Sequence, residues 1–148
     1  MLKRYRIKST LFAAALCAVA PFGAEAATVL LTAHGVKAAA AGFLYATLYC
    51  GEASWLDPAR AVANVKGAVT GEDVTLKFEN VAVGGCAINL FHDENGNGKL
   101  DFSAGMISIP MEGVAVSNNA TRMGPPRYKK AEFQVKDAEV KQEVKMSY

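Results

Sequence analysis

The sequence predicts an all-β domain: a Greek-key β-sandwich, immunoglobulin-like or transthyretin-like, of about seven to eight strands behind a cleaved leader. Three observations carry this. From Thr28 onward, β-branched, aromatic and other apolar residues come in short runs separated by Gly, Pro, Asn and Asp, the residues that turns require. Val74, Leu76 and Phe78 alternate with Thr75, Lys77 and Glu79, the period of a strand with one dry face and one wet face. The alternation returns with Ala131, Phe133 and Val135 against Lys130, Glu132 and Gln134, and again with Val140, Val144 and Met146.

Residues 1–26 read as an address. Lys3, Arg4, Arg6 and Lys8 form a cationic head, residues 11–19 an apolar run, and Ala24-Glu25-Ala26 an A-x-A cleavage site, with cleavage expected after Ala26. A membrane anchor would need around twenty apolar residues, and Pro21 and Gly23 interrupt the run too early. A lipoprotein is disfavoured because bulky Leu16 precedes Cys17. The expected location is therefore periplasmic or secreted, with no membrane span in the mature chain. Residues 27–148 then form one domain of ordinary size, large enough to bury a core. The leader holds four of the 16 Lys/Arg and one of the 14 Asp/Glu, so the mature chain carries a net charge of −1. Without a basic excess, nucleic-acid binding loses its electrostatic footprint.

In chain order, residues 28–34 predict the first strand, followed by a turn at Gly35-Val36-Lys37 and an alanine run too short to stand alone as a helix. Residues 43–50 are nearly all apolar, as a central strand buried on both faces would be, and Gly51 ends them. Ser54, Trp55 and Leu56 before Asp57-Pro58 suit one helical turn closed off before proline. Trp55, the only tryptophan, is either a plug over an open end of the core or a stacking platform for a sugar ring. Residues 61–69 and 74–79 predict the third and fourth strands, and Val83-Gly84-Gly85 turns the chain into a fifth, 86–91. Residues 105–110 and 113–117 predict short strands broken by Pro110, 128–135 another, and the run ending at Met146 the last.

Cys50 and Cys86 survive processing, and an even count in an oxidising compartment favours a disulfide over two buried thiols. In a Greek key of this kind the second and fifth strands are antiparallel neighbours; Cys50 ends one and Cys86 begins the other, so the two meet. No Cys-x-x-Cys is present, and neither cysteine has an adjacent His or Lys to lower its pKa, which argues against thiol redox catalysis.

The chain is organised around His92-Asp93-Glu94-Asn95-Gly96-Asn97-Gly98-Lys99-Leu100-Asp101. Asp93, Asn95 and Asn97 place side-chain oxygens at alternate positions, Gly98 supplies the sharp turn, Lys99 offers its backbone carbonyl, and Asp101 adds a carboxylate. That spacing matches the first part of a calcium-binding loop, in which a hard cation collects six to eight oxygens. Ala104 stands where such a loop ends in a bidentate Glu, which argues against a helix-loop-helix sensor and requires the last carboxylate to come from elsewhere. Asx residues and glycines also suit a metal-free turn, but a turn alone does not account for the regular spacing followed by Gly98 and Asp101. A structural Ca²⁺ with modest affinity, ~10⁻⁴–10⁻³ M, is the expectation.

The run Phe91 through Asp101, then Ile109-Pro110-Met111-Glu112-Gly113, Ser117-Asn118-Asn119 and Gly124-Pro125-Pro126, in this order, resembles the bacterial secreted family catalogued as domain of unknown function 2141. The resemblance covers most of the mature chain and implies a β-sandwich outside the cytoplasm with no established activity. The chain departs from the family pattern at Cys86, where tyrosine is usual, and at Val114-Ala115-Val116, where aromatics and a glycine are usual. These departures weaken any shared aromatic platform. Glu112 is retained, and becomes the leading candidate for the missing ligand, brought back by the turn at Pro110.

The functional expectation is a non-catalytic envelope protein, a binding or structural module with an unidentified envelope or extracellular partner, a glycan among the candidates. Two rivals stand beside it. His92 next to Asp93 would serve a small hydrolase with Ser117 or Ser103 as nucleophile, though no nucleophile elbow surrounds either serine. Trp55 would serve a carbohydrate-binding module. The only histidines, His34 and His92, lack the spacing of a zinc site.

Overall fold

Residues 26–120 and 124–148 are described by the computed structural model, so the expected leader lies outside the described residues apart from Ala26. Eight strands form: β1 (Ala26–His34), β2 (Phe43–Cys50), β3 (Ala63–Ala68), β4 (Asp73–Ala82), β5 (Gly84–Asp93), β6 (Val114–Val116), β7 (Phe133–Val135) and β8 (Glu139–Lys145). They make two sheets, β4-β1-β8 and β3-β2-β5-β6, with β7 also paired to β5. β1 runs antiparallel to β4 and parallel to β8. The chain passes from one sheet to the other after β1, after β3, after β4 and after β7, so neighbours in a sheet are mostly distant in sequence.

The alternating residues drive the two sheets together. Val29, Leu31 and Ala33 of β1 and Val74, Leu76 and Phe78 of β4 face Leu44, Ala46 and Leu48 of β2 and Ile88 and Leu90 of β5 across a dry interior. Phe78 and Leu31 are among its largest fully buried side chains, each contributing about 2–3 kcal/mol of transfer free energy. The second and fifth strands are antiparallel neighbours, with Cys50 directly opposite Cys86, and the two are joined by a disulfide. The bridge lies within one sheet and ties the end of β2 to the start of β5.

Several elements differ from the sequence reading. β2 is fully buried on one face only: on the other, among the described residues, Tyr45 and Thr47 are partly exposed and Tyr49 alone is buried, edge-on to Trp55. β4 continues past Glu79, because a bulge with Asn80 at φ +57° sets Phe78 opposite Val29 and Val81 opposite Ala27, and both Phe78 and Val81 reach the core. The single turn expected before Pro58 is two 3₁₀ turns, Glu52–Ser54 and Pro58–Arg60; Asp57 caps the second through the Ala59 N–H, and Pro58 opens it. No strand forms over 105–110. That segment turns back on itself, with Phe102 bridged to Pro110 and Ile107, Ile109 and Met111 left exposed. Residues 128–135 split into a helical turn, Tyr128–Ala131, and β7; the alternation still points Ala131, Phe133 and Val135 inward.

Candidate metal-binding loop and adjoining cleft

Strand alternation places Asn89, Phe91 and Asp93 on the outer face of the β5 sheet, while Ile88, Leu90 and His92 point into the sandwich. Asp93 is nevertheless fully buried, because the loop after β5 curls back over it. Its Oδ1 accepts the N–H groups of Gly96 at 2.9 Å and Asn97 at 3.0 Å, and its Oδ2 accepts Gly98 N–H at 2.9 Å. Gly98 takes φ +75°, a left-handed conformation that favours glycine, as the sixth-position turn requires. Gly42 packs against the Asp93 carbonyl so closely that a Cβ there would collide with backbone, so β2 fixes the level at which the loop begins.

Within the loop, Asn95 and Asn97 use Oδ1 in Asx turns, accepting Asn97 N–H at 3.0 Å and Lys99 N–H at 2.8 Å. Both amide nitrogens converge on Asp101 Oδ2, at 2.6 and 2.7 Å. Three of the expected ligand side chains therefore meet at one point, and rotation of either amide would present oxygen there in place of nitrogen. Glu112 does return to the loop. Its Oε1 accepts Glu94 N–H at 3.0 Å and Oε2 accepts Asp101 N–H at 3.1 Å, so one carboxylate clasps the loop's entry and exit. Among the described residues, no three His, Cys, Asp or Glu side chains gather closely enough to hold an ion on their own. A donor set here would depend on backbone oxygens and on the asparagines with their amides rotated; it would then consist of hard oxygens, which suit Ca²⁺ and not Zn²⁺.

Beside the loop, the uncovered face of β3, β2 and β5 forms a cleft of about 460 Å³ with residues 98–100 as one wall. Tyr45 and Phe91, cross-strand partners, stack with centroids 5.1 Å apart and an interplanar angle of 7°. Lys66 Nζ sits 3.7 Å from the Phe43 ring centroid and 5.0 Å from that of Tyr45. At the cleft's other end, burial pushes the Tyr49 hydroxyl pKa up.

Residues 32–143 match the family described as an uncharacterised protein conserved in bacteria, DUF2141. The chain belongs to DUF2141. No curated protein and no solved structure matches it.

In this DUF2141 chain the remaining residues singled out from sequence stand apart from the loop's donors. His92 is fully buried; Nε2 faces the Ala41 carbonyl and Nδ1 lies 2.9 Å from Tyr148 Oη. A carbonyl only accepts, so Nε2 carries a proton, and Nδ1 then accepts from Tyr148, whose oxygen takes the Lys37 N–H at 2.9 Å. Ser117 Oγ donates to the Ala131 carbonyl at 2.6 Å and accepts Ile88 N–H at 2.9 Å; Ser103 Oγ accepts Ile109 N–H at 3.1 Å. Trp55 is partly buried, edge-on to Tyr49 and Tyr128, with Nε1 donating to the Pro126 carbonyl at 2.8 Å. It covers Ala87 and Val116 as part of a small apolar cluster outside the main core. The residues that sequence reasoning missed are Tyr45, Phe91, Asn64, Lys66 and Asn89. Their signal was the period-two alternation within β2 and β5, hidden because the outward positions carry aromatics that read as core.

Proposed function

We propose that this protein is an extracytoplasmic, non-catalytic β-sandwich whose 93–101 loop is braced by Ca²⁺, and that it serves the cell envelope as a binding or structural module. The observation that carries the reading is the convergence of Asn95, Asn97 and Asp101 beside buried Asp93, with Glu112 returning across the loop's two ends. Calcium, when bound, would supply positive charge to balance the carboxylates of Asp93, Asp101 and Glu112. Asp93, Asn95, Asn97, the Lys99 carbonyl, Asp101 and Glu112 are the residues that would hold it. The Cys50–Cys86 disulfide supports an oxidising compartment. No helix among the described residues is long and apolar enough to cross a membrane. A non-catalytic role is supported by His92 and Ser117, each committed to structural partners.

Calorimetric titration of the mature chain tests the metal. Ca²⁺ should bind with a Kd of ~0.1–1 mM and Mg²⁺ more weakly, since its rigid octahedral shell suits such a loop poorly. Asp93→Asn should remove the heat of binding and Glu94→Gln should keep it. Equal heats for Asp93→Asn and the wild type would contradict the assignment.

A further inference from the structure

We propose that the cleft on the outer face of β3, β2 and β5 binds a carboxylate-bearing saccharide. The proposal rests on the binding half of the function above and does not require the metal. Two lysines line the cleft, Lys66 from β3 and Lys99 from the loop wall, and no Asp or Glu lines it. In a mature chain of net charge −1 that is a local reversal of sign. Among the described residues neither lysine is in an ion pair, and Lys66 is held over the Phe43 and Tyr45 rings, its charge at the edge of the cleft. A site so charged takes an anion.

The remaining chemistry identifies the body that carries the charge. Thr47 Oγ1 donates to Asn64 Oδ1 at 2.8 Å, which fixes that amide with its NH₂ group still able to donate. Asn89 stands on the other side of Thr47 in register, so the floor offers a row of amide and hydroxyl groups. The stacked Tyr45–Phe91 pair forms a rigid apolar wall next to that row. Hydroxyls for the amides, a C–H face for the aromatic wall and a carboxylate for the lysines are the three features of a uronic acid ring. A bare inorganic anion would leave the wall and the amides unused. The cleft volume lies in the range of small-ligand sites.

Isothermal titration of the mature protein with β-1,4-linked tetraglucuronate and with cellotetraose, its neutral counterpart, tests this in low salt. The acid should bind and the neutral chain should bind at least tenfold more weakly. Lys66→Gln and Lys99→Gln should each weaken the acid by roughly tenfold, the worth of one charge-assisted hydrogen bond. Lys77→Gln, on the other sheet and paired with Glu79, should change nothing. Absence of binding, equal affinity for the two chains, or full affinity in both cleft-lysine variants would overturn the proposal. Inorganic phosphate competing as well as the saccharide would reduce the site to a simple anion site and overturn it too. The Ca²⁺ titration is read separately: calcium binding without saccharide binding defeats this inference alone, and the reverse defeats the metal assignment alone.

Discussion

Tyr128 illustrates how one side chain secures the edge of the site. Its hydroxyl donates to the Gly85 carbonyl at 2.7 Å and accepts Gly51 N–H at 3.0 Å, stitching together the residues that flank the disulfide. Burial pushes its pKa up, aided by Glu132 and Glu52 and opposed by the Gly51 hydrogen bond. The folded pKa is raised, so the contribution is full below the ordinary tyrosine value of about 10 and is lost as pH rises through the folded value. Tyr128→Phe should cost about 1–2 kcal/mol in urea melts at neutral pH and should flatten the alkaline loss of stability seen in wild type. Glu112→Gln leaves one acceptor where two backbone N–H groups need one each, so it should destabilise by about 1–3 kcal/mol even in chelator and should also blunt the calcium response. The turn around Asp93 was legible in the sequence because Asx and Gly positions are set by local spacing, and Asp93 anchors it through the Gly96, Asn97 and Gly98 N–H groups. Glu112 became a candidate through the family resemblance together with the carboxylate missing at Ala104 and the turn at Pro110, since a contact across 18 residues leaves no periodic trace. The cleft residues were not legible, because an aromatic at an outward strand position carries the same letter as one in the core.

Among the elements, the strands that pair across the core were readable and the irregular ones were not. Residues 43–50 were bounded from composition alone, because aromatic and β-branched residues ended by Gly51 admit little else. β4 was cut short at Glu79, since Asn80 breaks the alternation; the bulge restores it three residues after Phe78 by placing Val81 in the core. Asn80→Ala should therefore cost roughly 1–2 kcal/mol in urea melts, the penalty of a left-handed alanine, whereas Asn80→Gly should be close to neutral. The alternation of Ala131, Phe133 and Val135 does not extend back to Tyr128: in Tyr-Lys-Lys-Ala the two apolar residues lie three apart, a helical spacing, and the segment forms a helical turn that buries both. Cys50 and Cys86 were placed correctly because topology fixes which strand ends meet. The bridge spans 36 residues in sequence, so folded protein prepared without residues 1–26, and hence without Cys17, should release no free thiol on denaturation without reductant, and reduction should cost roughly 3–4 kcal/mol. Two titratable thiols would contradict the pairing.

The two-sheet architecture emerged from sequence because alternation, turn spacing and the cysteine pair are constraints of the same fold, and they agreed. The sheet order, the parallel pairing of β1 with β8 and the uncovered outer face of β2 did not emerge, because they depend on contacts between segments far apart in the chain. The proposed binding role rests on that uncovered face. The sandwich holds β2 and β5 rigid, the loop folds over Asp93 at one end of the pair, and the cleft opens beside it. Binding energy at the loop then becomes stability of the whole domain, by RT ln(1 + [L]/Kd) for a ligand that binds only the folded chain. With ~1 mM Ca²⁺ and a Kd near ~0.1 mM this amounts to about 1.4 kcal/mol, or several degrees in a domain of this size. The decisive measurement is the melting temperature of the mature protein in chelator and in millimolar Ca²⁺. The account predicts an upward shift of several degrees with Ca²⁺, smaller with Mg²⁺ and absent in Asp93→Ala; an unchanged wild-type melting temperature would mean that the loop is a turn held by its own hydrogen bonds and that calcium has no part in it.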